Sequence, residues 1–350
     1  MKQTSLTKNL VGQTTDNVPI WLMRQAGRYL PEYRDVRAQA GDFLNLCYTS
    51  DLACEVTMQP IRRFDFDAAI IFSDILVVPH ALGQRVGFVQ GEGPKLDPIQ
   101  SIARLNDFNQ DDFLSHLSPV FEALDKTRTA LPNDKSLIGF SGAPWTLACY
   151  MINGQGSRDY ANVRHFAMSN KEEFKKIIQL LIDSISIYLV EKIKAGADTL
   201  QIFDSWAGVL STDEFYDYCV LPTKQIIQNI KKIYPNVPII GFPRGVGFNY
   251  QTYISETGIN GVSCDQSVPL EMMKNFQSHV CVQGNLDNML LRQGGQAMID
   301  QAEKICQALS EKPFIFNLGH GVIKETNPDD VAKLVSHVKN FKKGRVNNAA

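Results

Sequence analysis

Short, almost continuously apolar runs recur along the chain and alternate with longer stretches whose apolar residues fall three or four apart. The runs cover residues 18–23, 68–73, 136–140, 199–203, 237–242, 261–264, 280–283 and 314–317. They have strand length and little polar alternation, the pattern of parallel strands covered on both faces. The intervening spacing predicts amphipathic helices. Residues 170–195 are the clearest, with Phe174, Ile177, Ile178, Leu181, Ile185, Tyr188 and Leu189 on one face. Asn170 and Glu173 form a capping-box pattern at its start, and Gly196 is placed to stop it. Ser211 and Glu214 repeat that pattern before a helix reaching toward Tyr234, and Asn327 followed by Pro328 opens the last helix. Eight strands, each followed by helix, predict an α/β fold of the (β/α)8 TIM type, in a single domain over residues 1–350. Residues 77–100 break the alternation: this glycine-rich stretch is expected to be a long, non-helical, flap-like loop after the second strand. Its strand-like residues 85–89 suggest a small hairpin.

Composition narrows the class. Hydrophobic residues make up 44% and charged residues 21%, an ordinary globular mixture with ample material for a core. Lys+Arg 35 against Asp+Glu 37 gives a net charge of −2, which offers no general affinity for nucleic acid or an acidic membrane. Any cationic site must therefore be local. The cysteines, at 47, 54, 149, 219, 264, 281 and 306, are odd in number and form no C-x-x-C pair, so reduced thiols in a cytoplasmic protein are expected. The first ten residues lack the apolar core of a signal peptide, and no apolar run approaches about 18 residues, so no membrane span is expected. No dinucleotide fingerprint or phosphate-loop motif supports nucleotide binding.

Barrels of this type place their chemistry at the C-terminal strand ends, where polar residues gather. The first strand leads into residues 21–37, WLMRQAGRYLPEYRDVR, which hold Arg24, Arg28, Arg34 and Arg37. Guanidinium forks suit carboxylate or phosphate, and a helical turn would put Arg24 and Arg28 on one face. A solvated helix start with Glu32 and Asp35 as local partners explains the same spacing. Later strands deliver Asp74, Ser141 and then Tyr150, Asp204 with Ser205, Arg244, Asp265, and Asn317 with His320. Asp204 and Asp265 read mainly as loop caps. Asp74 precedes apolar Ile75 and Leu76, so burial is expected, whereas Gly319 and Gly321 suggest an exposed, functional His320 imidazole.

These residues resemble the uroporphyrinogen decarboxylase family over essentially the whole chain. The most specific stretch is PIWLMRQAGRYLPEYR at 19–34, supported by FSDIL around Asp74, GAPWTLACY at 142–150, FDSWAG at 203–208 and NLGHG at 317–321. The resemblance implies a (β/α)8 barrel, commonly a homodimer, that uses no metal or organic cofactor. The implied reaction removes the acetate carboxyls of uroporphyrinogen as CO2, giving coproporphyrinogen. It also implies Arg24, Gln25, Ala26, Gly27, Arg28, Asp74, Tyr150, Ser205 and His320 as substrate contacts, with Asp74, Arg24 and Arg28 nearest the chemistry. The residue types suit that reaction. A pyrrole protonated on a ring carbon becomes its own electron sink, so the protein must supply a proton, a counter-charge and carboxylate anchors.

Two other classes merit comparison. A zinc-dependent thiol methyltransferase of the same superfamily would use an H-x-C pair and a distant cysteine. His279, Cys281 and Cys306 supply the residue types, but the pair falls at a strand start, on the opposite rim from the arginines. A non-catalytic tetrapyrrole carrier would have no use for Asp74 beside the arginines.

Overall fold

The computed structural model describes residues 2–89, 93–99, 101 and 109–343. The apolar runs become β1 (Ala68–Ile70), β4 (Ser136–Gly142), β5 (Thr199–Asp204), β6 (Ile239–Pro243), β7 (Gly261–Ser263), β8 (Cys281–Leu286) and β9 (Phe314–Leu318), with β2 (Val86–Val89) and β3 (Gly93–Leu96) between the first two. The seven long-range partners pair in parallel in the order β1-β4-β5-β6-β7-β8-β9, a curled TIM-type sheet with helices packed outside. The expected first strand is instead an irregular stave. Phe316 donates to the Pro19 carbonyl at 2.8 Å and Asp67 to the Ile20 carbonyl at 2.9 Å, so residues 18–23 bridge β9 to the approach of β1. Trp21 adds one long backbone bond to the Phe316 carbonyl (3.4 Å), but no regular ladder forms because side chains take the donors on either side of it. The Ile20 N–H goes to the Asp67 carboxylate (2.8 Å), Leu22 to Gln25 Oε1 (3.1 Å) and Met23 to Asn317 Oδ1 (3.0 Å), while Pro19 has no donor.

The barrel interior is filled by Leu6, Leu10, Trp21, Met23, Ala68, Ile138, Ile240, Phe242, Cys281 and Ile315. Helix Ser5–Leu10 plugs the N-terminal mouth. Thr4 Oγ1 lies 2.5 Å from Ser136 Oγ, and Asn9 Oδ1 accepts from the Phe314 N–H at 3.1 Å. Leu10 presses so closely on Gly261 that a Cβ there would stand 2.6 Å from Leu10 Cδ2. A polar thread crosses the interior, with Trp21 Nε1 donating to Gln283 Oε1 (2.9 Å) and Gln283 Nε2 to Gln201 Oε1 and Ser263 Oγ (both 3.1 Å). With one mouth plugged, the C-terminal mouth remains for a site.

Outside the sheet, helix Lys171–Lys194 buries the predicted apolar stripe. Asn170 sits at its N-cap, but its side chain makes no capping bond, and Glu173 lies 3.6 Å from Lys176 instead. Ser211 and Glu214 do form the reciprocal capping box, and Asn327 Oδ1 caps the last helix through the Asp329 N–H at 3.0 Å. The helix expected from Ser211 widens into a π turn at 216–220, just before Pro222, which has no backbone donor to continue regular pairing. Lys192 is fully buried and donates to the Phe140 carbonyl at 2.7 Å; desolvation pulls its pKa well below the lysine range.

The flap expectation divides. Its opening residues are helical, Val77–Ala81, because glycine first enters at Gly83. The hairpin follows, pairing Val86 with Leu96 and Val89 with Gly93 in antiparallel register. It is tied to the end of helix Pro144–Asn153, with Leu96 donating to the Gly154 carbonyl (2.7 Å) and Gln84 Nε2 to the Met151 carbonyl (2.9 Å). Positions 90–92 and 100 of that stretch lie outside the described residues.

Candidate active site

The arginine-rich stretch after the first stave is not helical, so the turn that would set Arg24 and Arg28 on one helical face does not form. Helix Pro31–Ala40 begins only at the proline, and residues 24–28 form an irregular strap. Gln25 explains the shape. Its fully buried side chain accepts from Leu22 and donates to the Ala68 carbonyl at 3.0 Å, which pulls the strap into the barrel mouth. Its backbone N–H is engaged too, donating to the Leu22 carbonyl at 3.0 Å, so Gln25 shapes the strap. Tyr29 Oη donates to the Gln25 carbonyl (2.8 Å), and Arg34 Nη1 donates to the Arg28 carbonyl (2.9 Å), which gives Arg34 a supporting place. Arg24 adopts φ 60°, a left-handed conformation costly for a residue with Cβ. Its side chain passes over Gly321, where a Cβ would collide with Arg24 Cδ and stand 2.7 Å from Cγ. Ala26 and Gly27 complete the strap. Among the described residues, the Arg24 and Arg28 side chains are exposed and form no hydrogen bond or ion pair.

Asp74 follows β1 in a recess that crowds the carboxylate while leaving it some open surface. Oδ1 accepts from the Leu76 N–H at 2.8 Å, and the second oxygen has no hydrogen bond among the described residues. Burial raises its pKa, opposed by that N–H and by the Arg24 charge. Tyr150, half-buried on helix Pro144–Asn153, has burial and then Asp74 raising its pKa, while hydrogen bonding to Trp206 and Tyr160 and then the Arg24 charge lower it. Its ring lies 6.3 Å from Tyr160 and 6.4 Å from Trp206. Ser205, half-buried after β5, makes no side-chain hydrogen bond among the described residues.

His320 departs from expectation. It is half-buried, and the flanking glycines serve close approach rather than exposure: a Cβ at Gly319 would strike the Gln266 backbone nitrogen, and one at Gly321 the Arg24 side chain. Burial, then the Arg24 and Arg244 charges, push its pKa down to about 3 against the pull of Asp265, so the imidazole is neutral. It can offer a hydrogen bond but no charge, and among the described residues its buried Nδ1 has no partner.

Arg24 thus couples electrostatically to Asp74, Tyr150 and His320, and Arg244 joins from the loop after β6. The Arg28 charge is felt by Tyr33, together with Arg37 and Asp74. Arginine charge persists at all relevant pH, so the mouth carries fixed positive groups around one carboxylate. Beneath them runs a series of rings not singled out from the sequence: Phe140 to Phe203 (5.7 Å), Phe203 to Phe242 (6.1 Å) and Phe242 to His320 (6.5 Å). Their signal was a phenylalanine near the C-terminal end of three successive strands.

The other strand-end polar groups are structural, though not as helix caps. Asp204 is fully buried, accepts from Thr146 Oγ1 at 2.6 Å and is pushed by burial to a pKa of about 6. Asp265 brackets loops, accepting from Gly245 N (2.7 Å), Tyr250 Oη (3.1 Å) and Ser267 N (2.9 Å), which together hold its pKa down despite burial. Ser141 is buried and donates within its own strand to the Gly142 carbonyl (3.0 Å). The alternative zinc set does not converge. His279 is exposed before β8, Cys281 is buried in the barrel interior, and Cys306 packs with the outer helices. Among the described residues no three His, Cys, Asp or Glu side chains are grouped for a metal.

A family model described as uroporphyrinogen decarboxylase (URO-D) matches residues 1–341. A uroporphyrinogen decarboxylase from Mesorhizobium japonicum is 50% identical over 330 residues, covering 94% of this chain and 96% of that protein. One from Rhodospirillum rubrum is 48% identical over 331 residues, covering 94% and 95%. Among solved structures, a methyltransferase from Methanosarcina mazei superposes with a TM-score of 0.79 at 16% identity, covering 95% of this chain and 96% of that one. At that identity it speaks for the fold alone.

Proposed function

Because this chain belongs to the uroporphyrinogen decarboxylase family, a family of carboxy-lyases, we propose that the C-terminal barrel mouth is where it converts the four acetates of uroporphyrinogen to methyl groups. The carrying observation is the single electrostatic group formed by Arg24, Asp74, Tyr150 and His320, with Arg244 beside it. Arg24, Arg28 and Arg244 anchor substrate carboxylates, and the backbone of Gln25, Ala26 and Gly27 shapes the strap around them. Tyr150, Ser205 and neutral His320 contribute hydrogen bonds. The Phe140–Phe203–Phe242 rings give the apolar macrocycle a floor.

In the reaction, a proton added to a pyrrole ring carbon creates a cationic electron sink. The acetate C–C bond then breaks, CO2 leaves, and its electron pair neutralises the ring. Protonation of the exocyclic carbon and loss of the ring-carbon proton give the methyl group, so each cycle consumes one proton and releases one CO2. Asp74 accepts pyrrole N–H groups through its free oxygen and offsets the ring's positive charge. No metal or organic cofactor enters this sequence. We read the chain as one domain over residues 1–350 that works in the cytoplasm as a homodimer. Phe248 (92% exposed), in the short turn after β6, and Met289 (51%), on helix Asn288–Gln293 after β8, favour a covered rim.

The test is product analysis by carboxyl count, with anaerobically prepared uroporphyrinogen and excess chelator. Stepwise appearance of products ending at the four-carboxyl coproporphyrinogen is expected. Turnover abolished by chelation, or a folded protein without turnover, overturns the reading. Light scattering on the same sample should give twice the chain mass.

A further inference from the structure

Three helices outside the barrel bring together side chains that the decarboxylation does not use: Tyr48 from Phe43–Tyr48, His80 from Val77–Ala81 and His116 from Gln110–Ala130. Tyr48 Oη lies 2.9 Å from His80 Nδ1 and 3.2 Å from His116 Nε2, and the two ring nitrogens are 3.0 Å apart. The imidazoles meet edge to face, at 4.7 Å and 77°. His116 is exposed, while Tyr48 and His80 are half-buried, so the cluster opens to water.

Proton counting shows why this arrangement is unusual. One hydroxyl proton can satisfy only one of two facing imidazole lone pairs, so the contact between nitrogens requires one ring to turn its N–H inward. A cation at the centre would satisfy all three donor atoms at once. A tetrahedral zinc ion with bonds of about 2.0–2.1 Å has ligand atoms about 3.3–3.4 Å apart. The observed edges of 2.9, 3.0 and 3.2 Å need to open by only a few tenths of an ångström. We propose that His80 Nδ1, His116 Nε2 and Tyr48 Oη form a surface site for one borderline divalent transition ion of the zinc class, with water as the fourth ligand.

Both imidazoles have pKa values below the usual histidine range, His80 through burial and then His116, and His116 through burial. The phenol is disfavoured as an anion by burial and by Cys47 and Asp74. An ion drawing Tyr48 in as phenolate releases that proton to solvent. The site would brace helix Val77–Ala81, which begins three residues after Asp74 and leads into the hairpin, against the long helix Gln110–Ala130. Its role is therefore structural and separate from the chemistry.

The test uses the full chain, stripped with chelator, dialysed and titrated with Zn2+ alone by calorimetry near neutral pH. One ion per chain is expected, and His116→Ala and His80→Ala should each weaken binding at least about tenfold, since each removes one of only two nitrogen ligands. His165→Ala and His279→Ala should leave it unchanged. Co2+ should give visible tetrahedral d–d bands in the parent protein and not in His116→Ala. His116→Gln covers the case in which the alanine variant folds poorly, and zinc should raise the Tm of the parent protein but not of this variant. Absence of binding, or binding that survives both His80 and His116 substitutions, overturns the proposal.

Discussion

Replacing Asp74 with Asn removes one negative charge from the barrel mouth and turns the free acceptor oxygen into an NH2 donor. The amide oxygen can still accept the Leu76 N–H that holds Oδ1 at 2.8 Å, so the loop has no reason to move. What disappears is the charge facing the cationic pyrrole, together with the oxygen that accepts its N–H groups; the charge is the larger loss. Two unit charges about 4 Å apart at an effective dielectric of about 20 interact by about 4 kcal/mol. If the cation exists only in and near the transition state, that energy is lost from the barrier and not from ground-state binding, so kcat should fall about a thousandfold. Burial raises the pKa of Asp74, opposed by the Leu76 N–H and then by the Arg24 charge, so the carboxylate is desolvated before substrate arrives. The assay is initial-rate decarboxylation with products separated by carboxyl number and kcat resolved from KM. KM should stay within a few-fold, because the arginines hold the substrate carboxylates. A fall in kcat below about tenfold refutes the charge argument. A large rise in KM with unchanged kcat moves Asp74 from the chemistry to anchoring. Asp74→Ala should bind porphyrinogen and turn over as slowly or more slowly, and an unchanged Tm for both variants excludes misfolding as the cause.

Gly321→Ala should displace Arg24, whose Cγ would lie 2.7 Å from the new Cβ; a KM increase of about ten- to a hundredfold with a smaller kcat effect is expected, and unchanged kinetics would show that the strap is not held by this contact. His320, with a folded pKa of about 3 against an ordinary 6.5, is the depressed case. Its contribution to stability is complete above about pH 6.5 and lost as pH falls from there toward 3. Denaturant midpoints in that window should fall less steeply in His320→Asn, and the parent pH–rate profile should show no limb from this group near 6.5. Asp204 is the raised case, with a folded pKa of about 6 against 3.8. Its favourable contribution is present below 3.8 and lost as pH rises through 6. At pH 7 the buried charge costs up to about 3 kcal/mol. Asp204→Asn, which keeps the Thr146 bond, should therefore be at least as stable as the parent at pH 7.5 in urea unfolding. A loss above about 1 kcal/mol would show that the charge itself is needed.

The class of fold was legible because strands covered on both faces leave an unbroken apolar run, and amphipathic helices leave a periodic one. Local chemistry was also legible where it depends on neighbours in the chain, as with the Ser211–Glu214 capping box and the Asn327–Pro328 helix start. Asn170 carried the same signal and makes no such bond, because it also ends helix Ala161–Ser169 and sits at φ −129°, ψ 51° rather than in the extended conformation of Ser211. Strand register and edges were less readable. Nothing in residues 18–23 shows that their N–H groups would go to Asp67, Gln25 and Asn317 side chains instead of a ladder.

For the candidate site, the sequence alone determined which chemical types reach the barrel rim: arginines after the first stave, a carboxylate after the second run, a serine, a tyrosine and a histidine beyond. Placement followed from strand order, since parallel strands all end on one side. Charge state and geometry did not follow. Spacing allowed a helical turn from Arg24 to Arg28, but Gln25, by reaching the Ala68 carbonyl, makes a strap with Arg24 at positive φ. Glycines suggested an exposed His320, but the same glycines let Gln266 and Arg24 close in and keep the imidazole neutral. A residue's type is written in the chain, whereas its pKa, its free donors and its distance to the next charge depend on atoms hundreds of positions away. Those were decided only when the barrel closed, because desolvation and Coulomb energies depend on separation in space rather than along the sequence.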